Sequence, residues 1–301
     1  MRSLAPFVEF PTRLIEARVF GRRRPLLSGY KITHRCNLRC VHCPFWQRKE
    51  PDPSAEEARA VVDQLYDAGV RLLILEGGEP LLWHDGDTRL SDLMLYAKDR
   101  FWSVGLVTNG TLPIPDEPDV VWVSVDGLEE TTKRIRGPIF AKQMENIARS
   151  RHPRLFANIT ISTLNAAEIP ALVEHLAERV RGITVQFYYP YEDDLSLFVP
   201  FEERRQVLER LIEMKRQGYP LLDSVDALQA LKAPGWRCHP WLVANANPDG
   251  SIQQGCYLQG RGPVACERCG FAAHVEMSLA FDLNPRAIQA GLAIFGLGPG
   301  G

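Results

Sequence analysis

The chain has 301 residues, of which 45% are apolar and 24% charged, and a net charge of −2. That length and composition can bury a full core as one large domain with a smaller module. The near-neutral charge excludes an extended nucleic-acid-binding face, and no apolar run approaches the ~18 residues that cross a bilayer.

In chain order, residues 7–20 place Phe7, Phe10, Leu14, Ile15, Val19 and Phe20 in a short amphipathic stretch, which Arg22, Arg23 and Arg24 follow. Such a stretch either covers an open edge or the bottom of the main domain or lies on a membrane surface. Apolar β-type runs then occur at residues 29–33, 72–75, 103–108, 120–125, 155–162 and 183–188. Helical patterns separate them. The clearest starts at Ser54, with Glu57 three residues later as a capping box, and carries Val61, Val62, Leu65 and Tyr66 at helical spacing to Gly69. Residues 90–100, 141–151, 169–181 and 202–217 continue the alternation. Alternating β and α elements predict an α/β fold with a parallel sheet and right-handed crossovers. Further on, Pro248-Asp249-Gly250 predicts a hairpin, and residues 287–297 carry Ile288, Leu292, Ile294, Phe295 and Leu297 without a charge.

Seven cysteines fall into two groups with none left over: Cys36, Cys40 and Cys43, then Cys238, Cys256, Cys266 and Cys269. The first group reads C-x3-C-x2-C and offers three thiolates, so a four-iron cluster bound there keeps one iron open for a ligand. A zinc site is an alternative, with His34 or His42 folded back as fourth ligand. Disulfides are another, but Met1-Arg2-Ser3-Leu4 is followed by proline and charge, not by the apolar core of a signal peptide. Inert buried cysteines fit poorly with three thiols on one polar loop. Cysteines used for clusters imply a reducing cytoplasm.

The run Leu72-Leu73-Ile74-Leu75 breaks into Glu76-Gly77-Gly78-Glu79-Pro80, where a glycine pair at a strand end exposes backbone to a ligand. With this loop about thirty residues after the cysteines, the chain resembles the radical S-adenosylmethionine (radical SAM) superfamily. The resemblance implies that Cys36, Cys40 and Cys43 hold a catalytic [4Fe-4S] cluster and that Gly77, Gly78, Glu79 and Pro80 bind the methionine amino group of S-adenosyl-L-methionine. It also implies a partial (β/α)6 barrel over residues 29–218, after an N-terminal segment of residues 1–28 and before an auxiliary module over residues 219–301.

In such a barrel, function gathers at the C-terminal ends of the strands. Thr108 and Asn109 after the third run, and Ser124 and Asp126 after the fourth, are candidates for cosubstrate contact, although Asn-Gly and Asp-Gly are also ordinary turn formers. Arg136 is a candidate partner for the cosubstrate carboxylate, or a solvated surface arginine. Asn158, Thr160 and Ser162 share one face at period two and are candidates for the ribose. At the sixth strand end, Tyr188, Tyr189 and Tyr191, with Glu192, Asp193 and Asp194, either shape a substrate pocket or simply pack.

The second group reads C-x17-C-x9-C-x2-C, enough to ligate a second [4Fe-4S] cluster fully or a structural zinc. Here the chain looks like the SPASM or twitch-type extensions of the same superfamily, which implies the cluster. The segments Cys256-Tyr257-Leu258 and Cys266-Glu267-Arg268-Cys269-Gly270-Phe271, with Glu276, are loosely similar to the C-terminal region of adenosylhopene transferases. The expected activity is reductive cleavage of S-adenosylmethionine, giving a 5′-deoxyadenosyl radical that acts on a small-molecule or lipid substrate. Its electron would come from reduced flavodoxin or a ferredoxin-type donor. No nucleic acid is expected as a partner, and peripheral membrane contact stays open. Alternatives are a peptide-modifying maturase, a zinc-stabilised binding protein without catalysis, and a free-standing electron carrier.

Overall fold

A computed structural model describes residues 5–191 and 193–298; Glu192 lies outside them. Six strands, β1 (Leu27–Thr33), β2 (Leu72–Gly77), β5 (Ser103–Thr108), β6 (Val120–Ser124), β7 (Leu155–Ile161) and β8 (Gly182–Phe187), pair in chain order, every pair parallel. A two-residue hairpin, β3 (His84–Asp85) with β4 (Thr88–Arg89), stands apart from this sheet. Side-chain alternation sorts each strand into two faces. Tyr30, Ile32, Leu73, Leu75, Leu106, Val121, Val123, Ile159 and Val185 face the helices and are buried there, each aliphatic one worth about 1.5–3 kcal/mol against exposure. The intervening Lys31, Ile74, Glu76, Val107, Trp122, Asn158, Thr160, Thr184 and Gln186 line the concave side.

Helical structure follows five of these strands: α2 (Ala55–Ala68) after β1, α3 (Leu90–Lys98) after β2, α4 (Glu129–Ile135) and α5 (Phe140–Arg149) after β6, α6 (Ile169–Ala177) after β7, and α7 (Phe201–Arg216) after β8, whereas β5 runs on to β6 through residues 109–119 without a helix. The expected capping box is present: Ser54 Oγ accepts from Glu57 N at 3.2 Å, and Glu57 Oε2 accepts from Ser54 N at 2.7 Å. Gly69, at φ +114°, ends α2 in the left-handed region. Helix α4 escaped the pattern reading because its buried face is Thr131, Thr132 and Ile135, with almost no apolar periodicity.

The C-terminal segment is tied into the barrel sheet. Strand β9 (Val243–Ala246) pairs in parallel with β1, from Leu27↔Val243 to Tyr30↔Ala246, and β10 (Ile252–Gln254) pairs antiparallel with β9. The predicted hairpin therefore exists, and it extends the barrel sheet on its first-strand edge. Helices α8 (Val225–Ala230), α9 (Ala272–Phe281) and α10 (Pro285–Phe295) pack on one another, and α9 and α10 close the concave side. Ile294 and Phe295 of α10 cluster with Leu27, Leu72, Trp122 and Phe156, which makes the apolar C-terminal stretch the floor of the barrel. Helix α1 (Ala5–Val19) adds Phe10 to that cluster, and Arg13 Nη1 donates to Gly69 O at 2.6 Å. Its other face leaves Phe7, Val8, Ile15 and Val19 exposed. Among the described residues, no helix is long and apolar enough to cross a membrane.

Candidate active site

The ends of β1, β2, β5 and β6 converge on the first cysteine loop. Gly78 N donates to Thr33 O at 2.7 Å and Glu79 N to Arg35 O at 2.8 Å, so the glycine loop is bolted to the residues just before Cys36. A Cβ on Gly77 would lie 2.5 Å from Thr33 O, and one on Gly78 would lie 2.3 Å from Arg35 O. The glycines are there for close backbone approach. The exposed backbone expected at this pair is already engaged at Gly78 N.

Glu79 is fully buried. Its carboxylate accepts from Thr108 Oγ1 at 2.9 Å, Asn109 N at 2.7 Å and Leu81 N at 3.2 Å. Burial nevertheless pushes its pKa up to about 7. Pro80 opens the short helical turn after it. Asn109 Nδ2 donates to Asn37 Oδ1 at 2.8 Å and lies 4.0 Å from Cys36 Sγ. Arg136 is no solvated arginine. Its Nε donates to Asp126 Oδ2 at 2.6 Å, and its Nη1 lies 3.9 Å from Cys40 Sγ. Burial alone would lower its pKa, but Asp126 beside it holds the guanidinium above its usual value.

Two expected contacts take different places. Both oxygens of Asp126 are engaged, Oδ1 accepting from Thr160 N at 2.8 Å, so Asp126 positions Arg136 and does not present a free carboxylate. Ser162 lies just past the end of β7, and its Oγ donates to Asn165 Oδ1 at 3.3 Å. The strand ends at Ile161, so the period-two face stops at Thr160 and Ser162 turns away. Asn158, Thr160 and Ser124 do line the concave chamber. Sequence reading missed Gln143 and Asn146, two buried amides of α5. Gln143 Nε2 donates to Asn109 O and Ser124 O, each at 2.8 Å, and Asn146 Nδ2 donates to Gly110 O at 2.8 Å. The signal was present: amides at i and i+3 in register with Ile147 on an amphipathic helix.

All seven cysteines are free thiols. Cys36, Cys40 and Cys43 line the chamber together, and burial pushes Cys40 up to about 11, so a bound metal must supply the charge that keeps it a thiolate. His34 Nδ1 is 2.8 Å from Glu50, and His42 Nε2 is 3.7 Å from Asp126, so both candidate zinc histidines are turned to carboxylates. Three thiols with N–H groups of Leu38, Asn109 and Arg136 directed at two of them fit a cluster with one open iron. In the second group, burial pushes Cys269 up to about 11. Cys266 and Cys269 are spanned by one short helical turn, and Cys256 packs with Tyr189, Leu258 and Phe271.

Below the first cysteine loop lies a chamber of about 380 Å³. Its deep end is apolar, with Leu27, Ile74, Trp122, Met277, Ile294 and Phe295. One wall carries a buried ion network that sequence reading did not anticipate: Glu76 with Lys31 at 3.4 Å and Arg261 at 2.9 Å. Burial lowers the Lys31 pKa to about 8 against the pull of Glu76. Another wall carries Asp223 and Glu276. Asp223 Oδ2 accepts from Val185 N at 2.8 Å, whereas Glu276 Oε2 has no partner among the described residues. Burial, then repulsion from Asp223, pushes Glu276 up to about 8. A carboxyl whose folded pKa exceeds its unfolded value stabilises the fold fully below the unfolded pKa, and that contribution is lost as pH rises through the folded one. The melting temperature should therefore fall from pH 5 to 8.5 more steeply for the wild type than for Glu276→Gln, compared by circular dichroism. Parallel slopes would mean that Glu276 ionises normally.

Comparisons with known proteins meet this geometry. The profile of the Radical SAM superfamily matches residues 30–176, and a domain of unknown function, DUF3463, matches residues 182–265. The chain is 28% identical over 240 residues to the Fe-coproporphyrin III synthase of Methanosarcina barkeri (strain Fusaro / DSM 804), covering 70% of this chain and 57% of that protein. It thus spans little more than half of that relative. It is 25% identical over 286 residues to the mycofactocin maturase MftC of Mycolicibacterium smegmatis (strain ATCC 700084 / mc(2)155), covering 87% and 68%. Among solved structures, Streptococcus suis SuiB bound to S-adenosylmethionine superposes with a TM-score of 0.64 at 14% identity, covering 93% of this chain and 71% of that one. The enzyme anSMEcpe, with bound AdoMet and Cp18Cys peptide, gives 0.59 at 16%, covering 90% and 84%. At such identities these two likenesses speak for the fold. With C-x3-C-x2-C and Gly-Gly-Glu-Pro brought together at the strand ends of a six-stranded parallel barrel, the chain belongs to the radical SAM superfamily.

Proposed function

We propose that this protein cleaves S-adenosylmethionine reductively and turns the resulting radical on a small-molecule or lipid substrate with an apolar body. The observation that carries the reading is the chamber: it begins at the three-thiol loop and ends on an apolar floor closed by α10. Cys36, Cys40 and Cys43 would hold a [4Fe-4S] cluster, which supplies one electron to the sulfonium and so releases methionine and a 5′-deoxyadenosyl radical. Glu79 would receive the amino group and Arg136 the carboxylate of the cosubstrate. Thr108, Asn109 and Asp126 keep those two charges in place, and Gln143 fixes the backbone beneath them. Cys238, Cys256, Cys266 and Cys269 would hold a second, fully ligated cluster, serving electron transfer or the shape of the pocket. A reduced flavodoxin or ferredoxin suits the donor role. The name of the Methanosarcina relative supports a small-molecule substrate; the maturase likenesses keep a peptide as the competing reading.

The test uses anaerobically reconstituted protein, measuring iron, sulfide and zinc per chain, then 5′-deoxyadenosine release with dithionite. About eight irons, with release abolished when Cys36, Cys40 and Cys43 are all changed to alanine, is the expected result. About four irons with one zinc would remove the second cluster. No release from fully loaded protein, with or without candidate substrates, would sink the catalytic reading.

A further inference from the structure

Arg204 lies in the first turn of α7 and its side chain is completely buried. Three phenyl rings surround its guanidinium carbon, with centroids at 4.3 Å for Phe187, 4.6 Å for Phe201 and 5.1 Å for Phe198. Among the described residues, its one side-chain hydrogen bond runs from Nη1 to the carbonyl oxygen of Cys269, at 2.9 Å. Nε and Nη2 have no partner among the described residues, and no carboxylate there pairs with the side chain. Burial lowers its pKa to about 10, which still leaves it charged at neutral pH.

A buried, uncompensated charge is strongly unfavourable unless something of opposite sign sits beside it. Cation–π contacts with phenylalanine are too weak to replace a counter-ion. The other charges of the neighbouring turn are already spent: Arg268 pairs with Asp193 and lies 4.0 Å from Glu267. What Arg204 does face is Cys269, one of four cysteines whose thiolates leave an iron–sulfur cluster with net negative charge. We infer that Arg204 is the built-in counter-charge of the cluster held by Cys238, Cys256, Cys266 and Cys269, and that it raises that cluster's reduction potential. This rests on the reading, given above, that these cysteines hold a cluster.

The sign follows from electrostatics in a low-dielectric site. Reduction adds one negative charge to the cluster, so a nearby fixed cation stabilises the reduced state more than the oxidised one. Charge, and not shape, should therefore set the effect. Arg204 does not line the chamber, and its role is to position charge.

The experiment is a redox titration of the full chain, reconstituted anaerobically and followed by electron paramagnetic resonance. It is run in the wild type and in the Cys36/Cys40/Cys43 alanine background, where only the second cluster contributes. Arg204→Gln should make the second cluster harder to reduce by at least about tenfold in the equilibrium constant, which is about 59 mV for one electron. Arg204→Lys keeps the charge and should stay within a few-fold of the wild type. Loss of the second cluster in Arg204→Gln but not in Arg204→Lys would also support the counter-charge. Equal midpoints in wild type and Arg204→Gln, equal shifts in both variants, or loss of the cluster in both would overturn it. Zinc with about four irons in the wild type would overturn the cluster reading itself, which the metal analysis separates from a null titration.

Discussion

Gly78→Ala is expected to cut 5′-deoxyadenosine release by about 10²-fold while the barrel stays folded. A Cβ there would meet Arg35 O at 2.3 Å, His34 O at 2.6 Å and Arg35 C at 2.7 Å, all backbone atoms that cannot swing aside as a side-chain tip would. The two chains at this crossing are tied by Gly78 N to Thr33 O and Glu79 N to Arg35 O, so relief requires one of them to move. On one side stands Glu79, on the other Cys36, directly after Arg35. A displacement of about 1 Å separates the group expected to hold the cosubstrate from the loop expected to hold the cluster, and misplacement on that scale costs about two orders of magnitude in rate. Stability should fall by only about 1–3 kcal/mol, the usual range for overpacking. Gly86→Ala is the control, since its Cβ would meet nothing within 4 Å and it adds only the backbone strain of φ +54° in an exposed hairpin turn. Release within twofold of wild type for Gly78→Ala, at equal iron content, would show that this close approach does not matter to the chemistry.

What could be read from sequence was what repeats locally. Every barrel strand shows an apolar run bounded by turn residues, and the observed ends fall within about two residues of the expected ones, as at Ser103–Thr108 and Val120–Ser124. Ser54 and Glu57 announced the start of α2 because a capping box is complete within four residues. The Gly-Gly-Glu-Pro loop was visible as a motif, but the reason for its glycines was not, since it depends on where Thr33 and Arg35 lie in space. Interior charges stayed hidden for the same cause. Arg204 sits in Glu202-Glu203-Arg204-Arg205, which reads as a solvated helix start, and only the fold turns it inward under three rings. Lys31 alone carried a local hint, as a cation inside an apolar strand. Helix α9 gave no amphipathic signal because its Ala272, Val275, Ser278 and Phe281 meet protein on several sides.

Arg261→Met should destabilise the folded protein by about 3–5 kcal/mol, the cost of leaving a buried carboxylate without its partner. The Arg261 side chain is wholly buried and uses both ends of its fork: Nη1 donates to Glu76 Oε1 at 2.9 Å, Nη2 to Gly29 O and Ala246 O, both at 2.9 Å, and Nε to Asn247 Oδ1 at 3.0 Å. It therefore clamps β1, β2 and the β9 hairpin at one point, joining the C-terminal segment to the barrel where the chamber wall runs between them. Burial alone would raise the Glu76 pKa, but Lys31 and Arg261 hold it below the usual carboxylate range. With Arg261 gone, Lys31 at 3.4 Å and the Tyr257 hydroxyl at 3.2 Å remain, and Lys31 is itself short of charge stabilisation. A lysine at position 261 keeps the charge but cannot reach three carbonyl acceptors and a carboxylate in one plane, so Arg261→Lys should fall between wild type and methionine. Urea unfolding of the reconstituted protein, read by circular dichroism, measures each variant. The double variant Arg261→Met with Glu76→Gln should recover part of the loss, because it removes the orphaned carboxylate as well as its partner. A loss below about 1 kcal/mol for the single variant, or no recovery in the double one, would mean that the pair does not hold the two parts together.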